Sequence, residues 1–118
     1  MLENELYTVD GIDSNLLRIR LRPESGIFKA HFPDNPVTPG VCQVGIIEEL
    51  AGKICGCKLI LREVKSLKYT DVLRPSMNVV EVKFDKLEEE EDGVIAKGTV
   101  MSGGQVFTKF SLIFGKEA

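Results

Sequence analysis

Hydrophobic and polar residues follow two different periods along this chain. Residues 17–21 alternate leucine or isoleucine with arginine, and this period of two is typical of a half-buried strand. From Val41 to Ile54 the apolar residues recur every three or four positions, and Pro39-Gly40 stands directly before them. This spacing predicts a helix of about four turns, at about 3.6 residues per turn.

Strand patterns dominate the chain after this helix, in residues 59–61, 64–69, 79–84, 94–101 and 105–114. The acidic run Glu88–Asp92 leads into Asp-Gly, a strong hairpin-turn pair, so we interpret it as a solvated turn and not as an acidic partner-binding tail. Ser102-Gly103-Gly104 predicts another turn. One or two strands, a long helix and about four antiparallel strands predict an α+β domain with one helix against one sheet, although other helix-on-sheet folds share this pattern.

Composition and charge narrow the function classes. With 118 residues, 43% of them hydrophobic and 28% charged, the chain is predicted to be a single soluble domain, 1–118, that completes its burial as a dimer or higher oligomer. A net charge of -3 argues against nucleic-acid binding, which requires a basic face. No apolar run reaches the roughly 18 residues that span a membrane, and Met1–Glu5 lacks signal-peptide features. A cytoplasmic location is expected.

The cysteines indicate reduced thiols. Cys42, Cys55 and Cys57 are an odd number in a chain without an export signal, which disfavours a disulfide framework. Cys55-Gly56-Cys57 lacks the second cysteine pair or second histidine that a metal site would need. We interpret these residues as packing at the helix end, and we predict no metal and no cofactor.

The run from His31 to Val41 carries the most specific motif, His-Phe-Pro-Asp-Asn-Pro-Val-Thr-Pro-Gly-Val. Its prolines restrict the backbone φ angle to about −65° and predict a stiff loop that holds His31 in place. Gly40 lets a ligand approach the helix N-terminus, where N–H groups lack helical acceptors. The run resembles the signature of the hotdog-fold 3-hydroxyacyl-acyl-carrier-protein dehydratases. The segment Leu67–Pro75 is similar to the strand and proline region of the same family.

The resemblance implies an α+β hotdog fold, in which an antiparallel sheet of five to six strands wraps one long central helix. It also implies roles for the motif residues. His31 is expected to be the base that removes the C2 proton of the substrate, and the Gly40 N–H is expected to stabilise the thioester oxygen. The expected substrate-binding residues are Phe32, Pro39, Val41 and Gly45.

The catalytic acid is the part of the family pattern that this sequence lacks. In the family a carboxylate lies fourteen positions after the histidine, and Gly45 holds that position here. Glu48 and Glu49 follow one turn later, and Glu48 shares a helix face with Gly45. We favour Glu48 as the replacement acid, whereas Glu49 is spaced to pair with Lys53. Alternatively, both glutamates face solvent or a subunit interface and have no catalytic role.

The resemblance implies a protein that eliminates water from a 3-hydroxyacyl thioester on acyl carrier protein, in fatty-acid or polyketide-type synthesis. In the family the histidine and the acid come from different subunits, so half of a heterodimeric dehydratase is one alternative. A catalytically silent subunit that binds acyl thioester or carrier protein is another, and a hotdog thioesterase is a third.

Because carrier proteins are acidic, a basic docking patch is expected after the helix; its candidates are Arg62, Lys65, Lys68 and Arg74.

Overall fold

A computed structural model describes residues 2–30, 37–77 and 79–117. Two strands precede the helices and four follow them. In chain order the elements are strands β1 (Tyr7–Asp13) and β2 (Leu16–Leu21), helices α1 (Gly26–Ala30) and α2 (Gly40–Cys55), and strands β3 (Leu59–Tyr69), β4 (Val79–Glu89), β5 (Gly93–Ser102) and β6 (Gln105–Lys116). A short 3-10 turn at Pro75–Met77 lies between β3 and β4.

The strands form one antiparallel sheet of six strands in the order β1-β2-β4-β5-β6-β3. This order makes β1 and β3 the edge strands. Helix α2 packs against the sheet, where Ile46 and Ile47 meet Val80 and Val82 of β4. The predicted α+β hotdog architecture, one long helix against a sheet of five to six strands, is confirmed.

Alternating side chains of the sheet build the core beneath α2. Val80, Val82 and Phe84 of β4 are all about 1% exposed, and the residues between them face outward. The rings of Phe84 and Phe110 meet edge to face, with centroids 5.7 Å apart. Burying each such side chain stabilises the fold by about 1.5–3 kcal/mol. The contacts hold α2 in one position relative to the sheet, which is what a site at the start of this helix requires.

Helix α2 runs one residue beyond each end of the predicted segment. It begins at Gly40, directly after Pro39. The ring of Pro39 disfavours a helical conformation of the residue before it, so the helix does not extend further toward the N-terminus. It ends at Cys55 and is followed by Gly56, whose φ of 73° lies in the left-handed region that favours glycine; the Gly56 N–H donates to the carbonyl of Gly52 at 2.8 Å. None of the helices that the structure describes is long and apolar enough to cross a membrane.

Three features differ from the sequence-based prediction. The segments 59–61 and 64–69 form a single strand, because two irregularities in its pairing with β6 shift the side-chain register without ending the strand. The acidic run is only partly a turn, since Glu88 and Glu89 belong to β4 and the loop is limited to residues 90–92. The short helix α1 was not predicted from the pattern.

Candidate active site at the start of the central helix

The start of α2 presents backbone N–H groups. The N–H groups of Cys42 and Gln43 donate to the carbonyl of Pro39 at 3.0 and 3.1 Å, and no side chain caps this end of the helix. The N–H groups of Gly40 and Val41 lie before these bonds and have no acceptor within the helix. Val41 is 81% exposed. With the positive end of the helix dipole, this end is suited to stabilising a developing negative charge on a ligand oxygen.

Tyr69 lies directly against Gly40. A Cβ atom at position 40 would overlap the Tyr69 hydroxyl and would be 2.5 Å from the ring carbon Cζ, so only glycine fits beneath this ring. Burial raises the pKa of the Tyr69 phenol, which therefore stays protonated at neutral pH. The end of β3 thus forms one wall of the helix start, which the sequence had not indicated.

A buried polar network fastens the segment before α2 to the sheet. The Gln43 amide donates to the Thr38 carbonyl at 3.3 Å and accepts from the Thr108 hydroxyl at 2.5 Å. The Thr38 N–H also donates to the carbonyl of Leu73 at 2.7 Å. Gln43 is 4% exposed and Thr108 is fully buried. This network was missed in the sequence; the available signal was a glutamine on the apolar face of the helix.

The position of the missing acid is covered by the N-terminal segment. A Cβ atom at Gly45 would lie 2.8 Å from Cδ1 of Leu2. The Glu49 carboxylate holds this segment in place, because it accepts from the N–H groups of Leu2 at 2.7 Å and Glu3 at 2.9 Å. It also accepts from the hydroxyl of Tyr7 at 3.0 Å. Both oxygens of Glu49 are therefore engaged in structural hydrogen bonds.

Tyr7 and Lys53 complete this attachment. Burial raises the pKa of the Tyr7 phenol, and the neighbouring Glu49 carboxylate raises it further, so Tyr7 remains a hydrogen-bond donor. Lys53 pairs with Glu3 at 3.3 Å. Among the ion pairs of the described residues, the Glu49–Lys53 pair expected from helix spacing does not occur, because Glu49 is already bonded to the N-terminal segment.

Glu48 is on a different side of the helix. Its Oε2 accepts from the N–H of Leu61 in β3 at 2.7 Å, and the side chain is half-buried. No hydrogen bond to Oε1 occurs within the described part of the chain. Glu48 and Glu49 both line a cavity of about 520 Å³ between α2 and the turn that leads to β3. The two glutamates therefore differ in their hydrogen-bond partners: Glu49 binds the N-terminal segment, and Glu48 binds β3.

The cysteines are free thiols; Cys42 and Cys55 lie in α2, and Cys57 follows it. Burial raises the pKa of Cys42 and of Cys55, which disfavours the thiolate form. Within residues 2–30, 37–77 and 79–117, no group of three or more His, Cys, Asp or Glu side chains is arranged to hold a metal ion.

The expected site residues are thus only partly brought together. Pro39, Gly40 and Val41 form the start of α2, Gly45 lies one turn later, and Glu48 follows on the side facing β3. His31 and Phe32 lie outside the described residues. Their roles remain predictions from the motif, as does the role of Glu48 as an acid.

A long helix against a six-stranded antiparallel sheet, with a proline-glycine start to the helix, defines the hotdog class of proteins. The sequence matches the family profile described as ApeI dehydratase over residues 10–104. The chain belongs to the ApeI-like dehydratase family.

Individual relatives agree with this assignment. The 3-hydroxyacyl-[acyl-carrier-protein] dehydratase FabZ of Thermoanaerobacter sp. (strain X514) is 30% identical over 96 residues, which cover 74% of this chain and 66% of that protein. The match thus spans just under two thirds of the length of FabZ.

Two solved structures show the same fold at low sequence identity. The dehydratase heterocomplex ApeI:P from Xenorhabdus doucetiae aligns with a TM-score of 0.61 and 16% identity, covering 91% of this chain and 93% of that chain. A hypothetical thioesterase from Streptococcus pneumoniae TIGR4, crystallised with coenzyme A, aligns with a TM-score of 0.66 and 9% identity, covering 95% and 86%. These similarities concern the fold.

Proposed function

We propose that this protein eliminates water from a 3-hydroxyacyl thioester carried on acyl carrier protein and forms the trans-2-enoyl thioester, in fatty-acid or polyketide-type synthesis. The observation that carries the proposal is the start of α2, where the Gly40 and Val41 N–H groups lack helical acceptors, in the sequence motif that begins at His31. Membership of the ApeI-like dehydratase family supports the same reaction.

The proposed chemistry divides the reaction between three groups. His31 removes the proton from C2, and the negative charge that develops on the thioester oxygen is stabilised by the Gly40 N–H. The electron pair from the C2–H bond forms the C2–C3 double bond. The C3–O bond breaks, and the hydroxyl leaves as water after it accepts a proton from Glu48 of the partner subunit, because about 12 Å of helix separates Gly40 from Glu48 within one chain.

Two observations favour Glu48 over Glu49 as the acid. Both Glu49 oxygens already accept hydrogen bonds from the N-terminal segment, whereas Oε1 of Glu48 has no such partner in the described part of the chain. The Leu61 N–H fixes Oε2, so the carboxylate is held in one orientation.

Turnover of the purified chain tests the proposal. The chain is mixed with a short 3-hydroxyacyl thioester on acyl carrier protein, and loss of water is followed by mass spectrometry of the intact carrier. We expect the enoyl product, and we expect the His31→Ala variant to form it at least about 100-fold more slowly, because a general base typically contributes that much. Release of free carrier in place of enoyl carrier would indicate a thioesterase and contradict the proposal.

Half of a heterodimeric dehydratase is the second candidate, and Gly45 is the observation that favours it. Leu2 covers the position where the family has its acid, so this chain offers no carboxylate there. Strand β3 is an edge strand of eleven residues with exposed apolar side chains, Ile60 at 50% and Val64 at 45%, and it is suited to pairing with a second subunit. A chain that is inert alone and active with a second hotdog subunit would support this candidate; inertness in both conditions would indicate a silent binding subunit.

Gly40→Ala tests the role of the helix start. The added methyl group overlaps the phenol of Tyr69, so either the ring or the start of α2 must move. We expect turnover to fall about 10-fold or more, because small displacements of catalytic groups slow reactions strongly. The double variant Gly40→Ala with Tyr69→Ala removes the overlap and is expected to recover most of the lost turnover. No recovery in the double variant would show that the ring does not position this end of the helix.

A further inference from the structure

Three lysines lie together on the outer face of the sheet. Lys68 of β3 pairs directly with Lys109 of β6, and Lys97 of β5 pairs with Ser111, two residues from Lys109. Directly paired residues of an antiparallel sheet share a face, and Lys109 lies between buried Thr108 and Phe110, so this face points away from the core. We call Lys68, Lys97 and Lys109 the lysine patch, and all three are exposed.

The patch is positive because its lysines lack carboxylate partners. Two neighbouring lysines on β4 have such partners: Lys83 pairs with Asp85 at 3.9 Å and Lys86 with Glu88 at 3.3 Å. Within the part of the chain that the structure describes, no ion pair involves a patch lysine. Like charges directly opposite each other weaken strand pairing. Although the net charge of the chain is -3, this face carries a cluster of positive charges whose mutual repulsion destabilises the sheet.

Most of the basic residues that the sequence had suggested for docking already have an interaction partner within the chain. Arg62 pairs with Asp92 at 3.7 Å and Lys65 with Glu63 at 3.2 Å. Arg74 also has an interaction partner. Of the four candidates, Lys68 alone belongs to the unpaired cluster, and Lys97 and Lys109 join it only through the sheet register.

The patch lies next to the candidate active site. Lys68 directly precedes Tyr69, whose ring contacts Gly40 at the start of α2. Since successive residues of a strand point to opposite faces, Lys68 lies outside the strand end whose inner side forms the wall of the site. A partner bound at the patch would thus be held at the same end of β3 as the proposed thioester site.

We propose that the lysine patch is the surface on which an acidic acyl carrier protein docks. The identity of the partner rests on the proposed function, because a substrate attached to a carrier must be delivered by it. The charge complementarity is independent of catalysis: opposite charges steer the encounter and weaken with salt. Docking and chemistry can therefore be tested separately.

Binding of the unacylated carrier protein is measured first, by fluorescence anisotropy, at low and at physiological salt. The triple variant Lys68→Glu, Lys97→Glu, Lys109→Glu is expected to raise Kd by about 10-fold or more, because it reverses three exposed interactions. The matched control is Lys58→Glu, an exposed lysine that pairs with Glu117 away from the patch and is expected to change Kd less than about 2-fold. A triple variant with glutamine in place of glutamate removes charge without adding repulsion and should give a smaller increase.

Turnover then separates docking from the proposed reaction. The triple glutamate variant should raise KM for the carrier-linked substrate and leave turnover of a carrier-free N-acetylcysteamine thioester unchanged. Unchanged carrier affinity in both triple variants, or no carrier binding by the unmodified chain, would overturn the docking proposal. Carrier binding that depends on the patch, without turnover of either substrate, would support docking and contradict the dehydratase.

Discussion

Replacing Glu48 with glutamine is expected to lower dehydration of a 3-hydroxyacyl thioester by about 100-fold or more, the usual contribution of a general acid. The variant removes the proton that would reach the leaving hydroxyl. The glutamine keeps a carbonyl oxygen that can accept a hydrogen bond from the Leu61 N–H. In the unmodified protein this N–H donates to the Glu48 carboxylate at 2.7 Å. The melting temperature should therefore change by less than about 3 °C. Full turnover in this variant would remove Glu48 from the proposed mechanism.

Glu49→Gln is the matched control and should behave in the opposite way. The Glu49 carboxylate accepts from two backbone N–H groups with separate oxygens, whereas glutamine offers a single acceptor oxygen. At least one donor of the N-terminal segment loses its partner, which should lower the free energy of unfolding by about 1–3 kcal/mol. Turnover should change less than about 3-fold. A large loss of turnover with unchanged stability would instead assign the acid to Glu49.

Gln43→Leu is expected to destabilise the protein by about 2–4 kcal/mol and to lower its melting temperature by about 10 °C. The reason is that two buried groups lose their hydrogen-bond partner, the hydroxyl of Thr108 and the carbonyl of Thr38. Turnover should fall as well, since Thr38 directly precedes Pro39 and Gly40 and the start of α2 would no longer be fastened. Thermal unfolding followed by circular dichroism measures the first effect.

A double-mutant cycle isolates the hydrogen bond from packing. Thr108→Val alone leaves the Gln43 carbonyl oxygen without its 2.5 Å donor and should cost about 1–3 kcal/mol. Adding Gln43→Leu makes both partners apolar, and the combined loss should be smaller than the sum of the single losses. Strict additivity would show that the two side chains do not act as a pair.

The helix and the main strands were predictable from the sequence because their signals are local. A period of three to four residues from Val41 to Ile54 marked α2 to within one residue at each end. The same approach failed at β3, where pairing irregularities disturb the alternation, and at Glu88 and Glu89, whose charge suggested a turn although both residues lie in β4. A run of charged residues indicates that the side chains are exposed to solvent, but it does not distinguish a loop from an exposed strand.

The candidate site was predictable only where its residues are neighbours in sequence. The motif identified the start of α2, whereas Tyr69 and Thr108 reach that helix end through the sheet, and nothing in the sequence connected either residue with it. Gln43 carried one, a polar residue on a buried helix face, but its partner was not apparent. Leu2 had no connection to Gly45 before the fold brought the N-terminal segment across the helix.

The sequence by itself determined the helix, most of the strand segments along the chain, the proline-rich motif that begins at His31, and the absence of an acid at position 45. Only the tertiary structure decided which glutamate is engaged, what covers Gly45 and which lysines lack partners. The physical reason is the distance along the chain between interacting groups. Helical and strand periods connect residues two to four apart, whereas Glu48 bonds a residue 13 positions away and Glu49 bonds residues 46 and 47 positions away. Such contacts exist only after the chain has folded.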